Sequence, residues 1–322
     1  MLNNLTVIIA TYNRADSLAR TLEGMSRSSR DDLSIEFVLV DNASEDHTKS
    51  VVDSFSGRLP IRYIFEPKRG KNRALNAALE RTALGSIVVF TDDDVDVSED
   101  WLVSIWSVCN RWPAHSVFGG RIEVIFPVES VPQWAHDPYI RSFAFACQDY
   151  SGKECLYTDC DVPYGPNYWV RKEIFERGFR FNESLGPHPT NRILMDETAL
   201  FMELLDKGYK IVYSPIPVVW HRIEPQILKF SSLCKRAYQN GRGIAHIYGV
   251  PHIGLMKQRP MLWLMQRKGA IVWNALKFLS SIFSFRKHTQ MNKRLSPIIN
   301  IGYQVESMRL GNQINIDQKT FI

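Results

Sequence analysis

The sequence predicts an α/β protein built on a mostly parallel, doubly wound sheet with flanking helices, followed by a basic helical C-terminal region. Three observations predict it. β-branched apolar runs recur with helical patterns between them, spaced roughly 25 to 30 residues apart, which is the signature of βαβ units. Polar residues collect where those runs end. The charge is also uneven: the 322 residues carry a net +5, yet Pro225 to Val305 hold thirteen Lys and Arg and no Asp or Glu, so subtracting those thirteen leaves −8 elsewhere.

In chain order, strands are predicted at 6–10 (TVIIA), 35–41 (IEFVLVD), 61–65 (IRYIF) and 86–92 (SIVVFTD). Between them, apolar positions at helical spacing predict helices over 17–28, 45–55 and 74–83. A further strand is expected at 117–126 (VFGGRIEVIF), then a Pro- and aromatic-rich connection, a helix over 195–207 ending at Gly208, and a closing strand at KIVYSP. The organisation read from this is a first domain over 1–225, split into a nucleotide-binding half (1–95) and an acceptor and catalytic half (96–225), with a separate C-terminal region over 226–322.

Composition bounds the function. With 45% hydrophobic residues the chain can bury a sizeable core. Its five cysteines form no CxxC pair, which argues against a disulfide framework or a structural zinc site and suits a reducing cytosol. No basic n-region precedes the first apolar run, so no signal peptide is read and a cytoplasmic location is expected.

In open α/β sheets ligands bind beyond the carboxyl ends of the strands. Three strand ends here carry polar residues: Thr11, Tyr12 and Asn13; Asp41 and Asn42; Asp92, Asp93 and Asp94. Three adjacent carboxylates repel one another, so something positive is expected opposite them. Asp41 has a plainer reading as helix-start chemistry beside Ser44 and Asp46. Asp196 and Glu197 likewise could simply complement the positive end of a helix dipole.

The segments VIIATYNR (7–14), LVDNASEDHT (39–48), RGKNRALNAAL (69–79), FTDDD (90–94), GPNYWVRKEIFERGFRFNE (165–183), MDETALFMELLDKGYKIVYSP (195–215) and VVWHR (218–222) run in this order over roughly residues 5 to 225. Together they resemble a family 2 glycosyltransferase of the GT-A fold. The resemblance implies a nucleotide-sugar donor, with UDP the expected nucleotide. Its base and ribose would lie against Thr11, Tyr12, Asn13 and Asp41, with Asp92 near the ribose and Lys71 and Asn76 completing the donor side. Gly165 and Asn167 would form the loop under the donor sugar or acceptor. It further implies Mn²⁺ or Mg²⁺ held by Asp94, with Asp92 and His221, and an inverting transfer to a saccharide or lipid-linked hydroxyl.

The sequence departs from the family twice. The acid pair, commonly Glu then Asp, is reversed here: spacing to Gly208 and Tyr209 aligns Glu197 with the base, while Asp196 matches it in residue type. Leu75 stands where many relatives carry Arg, and Lys71 and Arg73 are candidates to supply the missing charge. These departures keep a non-catalytic membrane-associated scaffold as an alternative, with a nucleotidyltransferase as another.

Residues 261–285 are rich in Trp, Phe, Leu and Ile but are interrupted by Arg267, Lys268 and Lys277. A basic amphipathic helix of this kind lies on an anionic membrane and does not span it. The competing readings are an oligomer interface or a nucleic-acid patch. A membrane surface is the expected partner, at the inner face of the cell membrane, with a growing cell-surface or lipid-linked glycan as acceptor and no nucleic acid.

Overall fold

A computed structural model describes residues 4–30, 32–127, 131–158, 161–188, 191–283 and 291–319; Cys160, the tail cations Arg286 and Lys287, and Phe285 lie outside the described residues. The chain divides into two compact units. One draws on residues before 130, 141–191 and 196–224, and the other on 130–140, 192–195 and the chain from 225 onward.

The first unit is a nine-stranded mixed sheet. β1 (Asn4–Thr11), β2 (Ser34–Asp41), β3 (Ile61–Phe65) and β4 (Ile87–Thr91) are mutually parallel, in the order β3-β2-β1-β4. Helices α1 (Ala15–Arg27), α2 (Thr48–Phe55) and α3 (Lys71–Arg81) connect them. Alternation along each strand sends side chains to opposite faces. Val7, Ile9, Phe37, Leu39 and Val89 pack with Leu18 and Leu22 of α1, and Ile8, Val38, Val40, Val88 and Phe90 pack with Ala74, Leu75 and Ala78 of α3. Leu75 is thus a core residue, and charge at that position would have no solvent.

The second half brings antiparallel pairing into the sheet. After β5 (Val95–Val97) and α4 (Trp101–Arg111) come β6 (Val117–Ile125), α5 (Pro138–Phe145), β7 (Cys155–Leu156), β8 (Tyr168–Arg171), α6 (Glu173–Glu176), α7 (Asp196–Asp206) and β9 (Ile211–Arg222). β8 runs antiparallel to both β4 and β6, β6 pairs parallel with β9, and β5 pairs antiparallel with the far end of β9. Pro215 and Pro217 make β9 read as two pieces in the sequence. It is one strand because the register shifts opposite them, between Gly120 and Arg121, where a bulge accommodates residues that cannot donate to the ladder. Cys109, Cys147, Cys155 and Cys234 are free thiols.

The second unit is helical, with α8 (Phe230–Tyr248), α9 (Ile253–Gln258), α10 (Pro260–Phe283) and α11 (Met291–Lys319). α8 and α11 cross closely through glycine: a Cβ on Gly302 would overlap the Tyr238 carbonyl, and one on Gly241 the Ile299 carbonyl. Among the described residues no helix is long and apolar enough to cross a membrane.

Candidate active site

Parallel register carries β1, β2 and β4 to a common edge, with Thr11 opposite Asp41 and Ile9 opposite Thr91. The turn after β4 sends its three carboxylates to different sets of partners, with Arg14 shared by the last two. Asp92 Oδ1 accepts from Lys71 Nζ at 2.6 Å. Asp93 is buried and turned back into the fold, where Thr11 Oγ1 donates to it at 2.6 Å and Arg14 Nε lies 3.3 Å away. Burial pushes the Asp93 carboxyl up to about 7, with Asp94 and Asp92 adding to it against the pull of Arg14. Asp94 Oδ2 receives Arg14 Nη2 at 2.8 Å and faces His221 Nε2 at 3.4 Å. Burial works against its charge, but His221 and Arg14 hold it well below the usual carboxylate range. The positive groups that a run of three acids demands are therefore Arg14, Lys71 and His221.

Arg14, which closes the first motif, is a site residue that the sequence reading misses. It also reaches Glu224 Oε1 at 2.7 Å, past the end of β9. Its signal in the sequence is its position, because it follows a strand whose end shares the crevice with the acids.

His221 is oriented by its other nitrogen. Nδ1 lies 2.7 Å from the Phe145 carbonyl, which makes Nδ1–H the donor and aims Nε2 at Asp94. Burial disfavours the imidazolium, yet the Asp94 carboxylate prevails and the pKa is raised. Asp94 Oδ1 is buried without a hydrogen-bond partner among the described residues. An orphaned carboxylate oxygen beside an oriented imidazole suits a divalent cation that takes its remaining ligands from substrate phosphates. Among the described residues, no group of three or more His, Cys, Asp or Glu side chains is placed to hold a metal ion.

The acid pair opens α7, one residue after Met195 with its positive φ of 74°. Glu197 Oε1 accepts the Gly165 N–H at 2.8 Å. Gly165 is the joint of the site: a Cβ there would lie 2.8 Å from Glu197 Oε1, 3.4 Å from Lys71 Nζ and 3.5 Å from Asp92 Oδ2. Asp196 is buried, and Glu197 is half-buried beside it. Burial and the Glu197 charge push the Asp196 carboxyl well up. Burial opposes ionisation of Glu197 too, but the bond from Asp196, the Lys71 charge and the Gly165 N–H lower its pKa. Burial would also drain charge from Lys71, which Asp92, Asp196 and Glu197 restore and raise.

The other predicted residues divide. Tyr12 lies at the β1 end with the Arg69 guanidinium 4.9 Å above its ring. Asn13 takes a left-handed φ of 50°, and its Oδ1 accepts the Glu45 N–H at 2.7 Å. Asp41 accepts from Tyr63 O–H at 2.7 Å and from the Ser44 N–H at 2.8 Å, while the helix start itself is served by Asp46, which accepts the Thr48 N–H. Two candidates have their side-chain amides engaged within the fold. Asn76 is spent on Phe181, donating to its carbonyl at 2.9 Å and accepting its N–H at 3.0 Å. Asn167 is fully buried, its amide donating to the Arg121 and Pro217 carbonyls at 2.9 Å and accepting from Trp101 Nε1 at 3.1 Å. It bridges the β6–β9 bulge and has no amide hydrogen left for a ligand. Arg73 pairs with Glu183 at 3.3 Å.

Residues 6–179 match the sequence profile of Glycosyl transferase family 2. Glycosyltransferase AglE of Haloferax volcanii is 24% identical over 265 residues, covering 81% of this chain and 80% of that protein. Among solved structures, a mannosyltransferase from Pyrobaculum calidifontis in complex with GDP-Man and Mn²⁺ superposes with a TM-score of 0.57 at 18% identity, over 92% of this chain and 85% of that one. TarS 1-349 of S. aureus in complex with UDP gives 0.52 at 16% identity, covering 96% and 92%.

Proposed function

We propose, from the premise that this chain belongs to glycosyl transferase family 2 and is a glycosyltransferase using a nucleotide-sugar donor, that it catalyses an inverting, metal-dependent transfer to a saccharide or lipid-linked hydroxyl. The observation that carries this reading is the convergence on Gly165 of Lys71, Asp92 and Glu197, with Asp196 behind Glu197.

In this reading the nucleotide lies along Tyr12, Asn13 and Asp41, and its diphosphate points at Lys71 and Asp94. Glu197, the ionised member of the acid pair, accepts the proton of the acceptor hydroxyl. That oxygen bonds the anomeric carbon while the bond from the same carbon to the diphosphate oxygen breaks, and the electron pair leaves with the nucleoside diphosphate. Lys71 lies between the acid pair and Asp92, so its charge opposes that building on the leaving group. Mn²⁺ or Mg²⁺, held by Asp94 and His221 with Asp92 near by, would supply Lewis-acid stabilisation of the diphosphate. UDP is the nucleotide we favour; the solved relatives above hold GDP-Man in one case and UDP in the other.

The acceptor in this reading is presented at an anionic membrane surface on the cytoplasmic side. An exposed apolar face along α10, including Met261, Met265, Val272, Trp273, Leu276 and Leu279, supports it.

The test is turnover of a panel of nucleotide sugars with Mn²⁺, with and without chelator, followed by the anomeric configuration of the product by NMR. Release of nucleoside diphosphate from one donor, lost on chelation and giving an inverted product, is expected. Retention of configuration overturns the acid-pair assignment, and no release from any donor overturns the reading as a whole.

A further inference from the structure

An open cavity of about 500 Å³ lies between α10 and α11, with Lys277 on one side and Lys293 on the other. We propose that this cavity receives the phosphate of an anionic lipid headgroup while the neighbouring face of α10 enters the acyl boundary, an inference that rests on the membrane reading above.

The cavity has the chemistry of a phosphate site. Tyr139, Asn274, Ser296 and Asn300 supply hydroxyl and amide groups around the two ammonium groups. Asn274 and Asn300 each donate to the carbonyl four residues back in their own helices, which fixes their amides on the walls. Neither Lys277 nor Lys293 pairs with a carboxylate among the described residues, and the sequence places no Asp or Glu anywhere from 225 to 305. Two ammonium groups at one cavity, neither held by a carboxylate among the described residues, favour an anion from outside.

What favours a lipid over a soluble phosphate is continuity with an apolar surface. Lys277 Nζ lies 5.2 Å over the Trp273 ring, and Trp273 is 60% exposed. Leu276 and Leu279 are about half exposed beside it on the same helix. A cation at the rim of a polar cavity, stacked on an indole and flanked by leucines, matches the polar-to-apolar gradient of a bilayer interface.

Sedimentation of the full chain with phosphatidylcholine vesicles, with and without phosphatidylglycerol, tests the proposal. The double variant Lys277→Ala, Lys293→Ala should partition onto phosphatidylglycerol vesicles roughly 30-fold more weakly. Lys229→Ala, Lys235→Ala removes the same charge from the start of α8 and should lose no more than about fivefold. Equal losses would overturn the cavity and leave a diffuse membrane attraction standing, whereas a full chain indifferent to phosphatidylglycerol at low salt would overturn the membrane reading itself. Inorganic phosphate displacing the protein from vesicles at millimolar concentration would reassign the cavity to a soluble anion. A concentration-dependent dimer, seen by light scattering and abolished by Trp273→Glu, would reassign the apolar face to a second copy. Melting temperature and donor turnover, unchanged in both lysine variants, exclude misfolding.

Discussion

At the scale of single residues, two carboxylates with adjacent positions take opposite roles because their surroundings differ. Asp94 keeps one oxygen unpartnered beside His221, while Asp93 spends both of its oxygens on Thr11 and Arg14. Asp94→Ala should therefore abolish Mn²⁺-dependent donor binding in calorimetry. Asp93→Ala should keep the metal dependence and instead lower the melting temperature, because it strands the buried Thr11 hydroxyl and removes a charge facing Arg14. Equal loss of metal response in both would mean that the turn acts by bulk charge. The acid pair gives a second contrast. Glu197→Gln should reduce kcat by on the order of 10²- to 10⁴-fold with donor affinity retained, and Asp196→Asn should cost less, since burial and the Glu197 charge push that carboxyl toward its neutral form. A larger fall for Asp196→Asn would exchange their roles.

Among the elements, closeness of backbone decides where side chains are tolerated. Gly302 and Gly241 sit where α8 and α11 cross, each against a carbonyl of the other helix. Gly302→Ala should separate the two helices and lower the melting temperature markedly, whereas Gly269, in the middle of α10, has no atom within 4 Å of a would-be Cβ. Gly269→Ala should stabilise by about 0.5–1 kcal/mol through helix propensity. Thermal melting of the pair measures both, and a loss of stability at Gly269 would contradict the packing described. In the sheet, Asn167 holds the bulge where β6 and β9 lose register, so Asn167→Ala should cost on the order of 3 kcal/mol by stranding two carbonyls and an indole N–H.

For the molecule as a whole, the long run of cations ends at Glu306, one residue beyond it. That side chain is 1% exposed and collects Arg242 at 2.6 Å, His246 at 3.1 Å and Arg309 at 3.2 Å. Arg267, also buried, donates to Gln304. Part of the basic tail is thus internal wiring and not a surface for partners. Burial alone would raise the Glu306 pKa, but His246, Arg242 and Arg309 hold it down to about 2 from an ordinary 4.5. A depressed carboxyl stabilises the fold fully above 4.5 and loses that contribution as pH falls toward 2, because the unfolded chain takes the proton first. The wild type should therefore lose melting temperature on acidification through that window more steeply than Glu306→Gln. At neutral pH the variant should be less stable by about 3 kcal/mol. Parallel acid slopes in the two proteins would remove Glu306 from the acid response.

The sequence by itself determined the parallel half of the sheet, because period-two burial and β-branched runs are local properties that β1 to β4 satisfy without reference to distant chain. It also determined that acids would gather at the strand ends, and that a compensating charge had to face them. Which charge did so was a tertiary matter: Arg14, Lys71 and His221 come from three places in the chain, and their meeting at one turn depends on sheet order. The same holds for Asn76 and Asn167, whose residue type and motif position suit a ligand as well as a carbonyl. The fold turned both inward, where their amides donate to carbonyls at the bulge and at Phe181. Leu75 reads as a missing charge in the motif and as a core side chain in the structure. Local pattern records what a residue can do, and packing selects which neighbour it does it with.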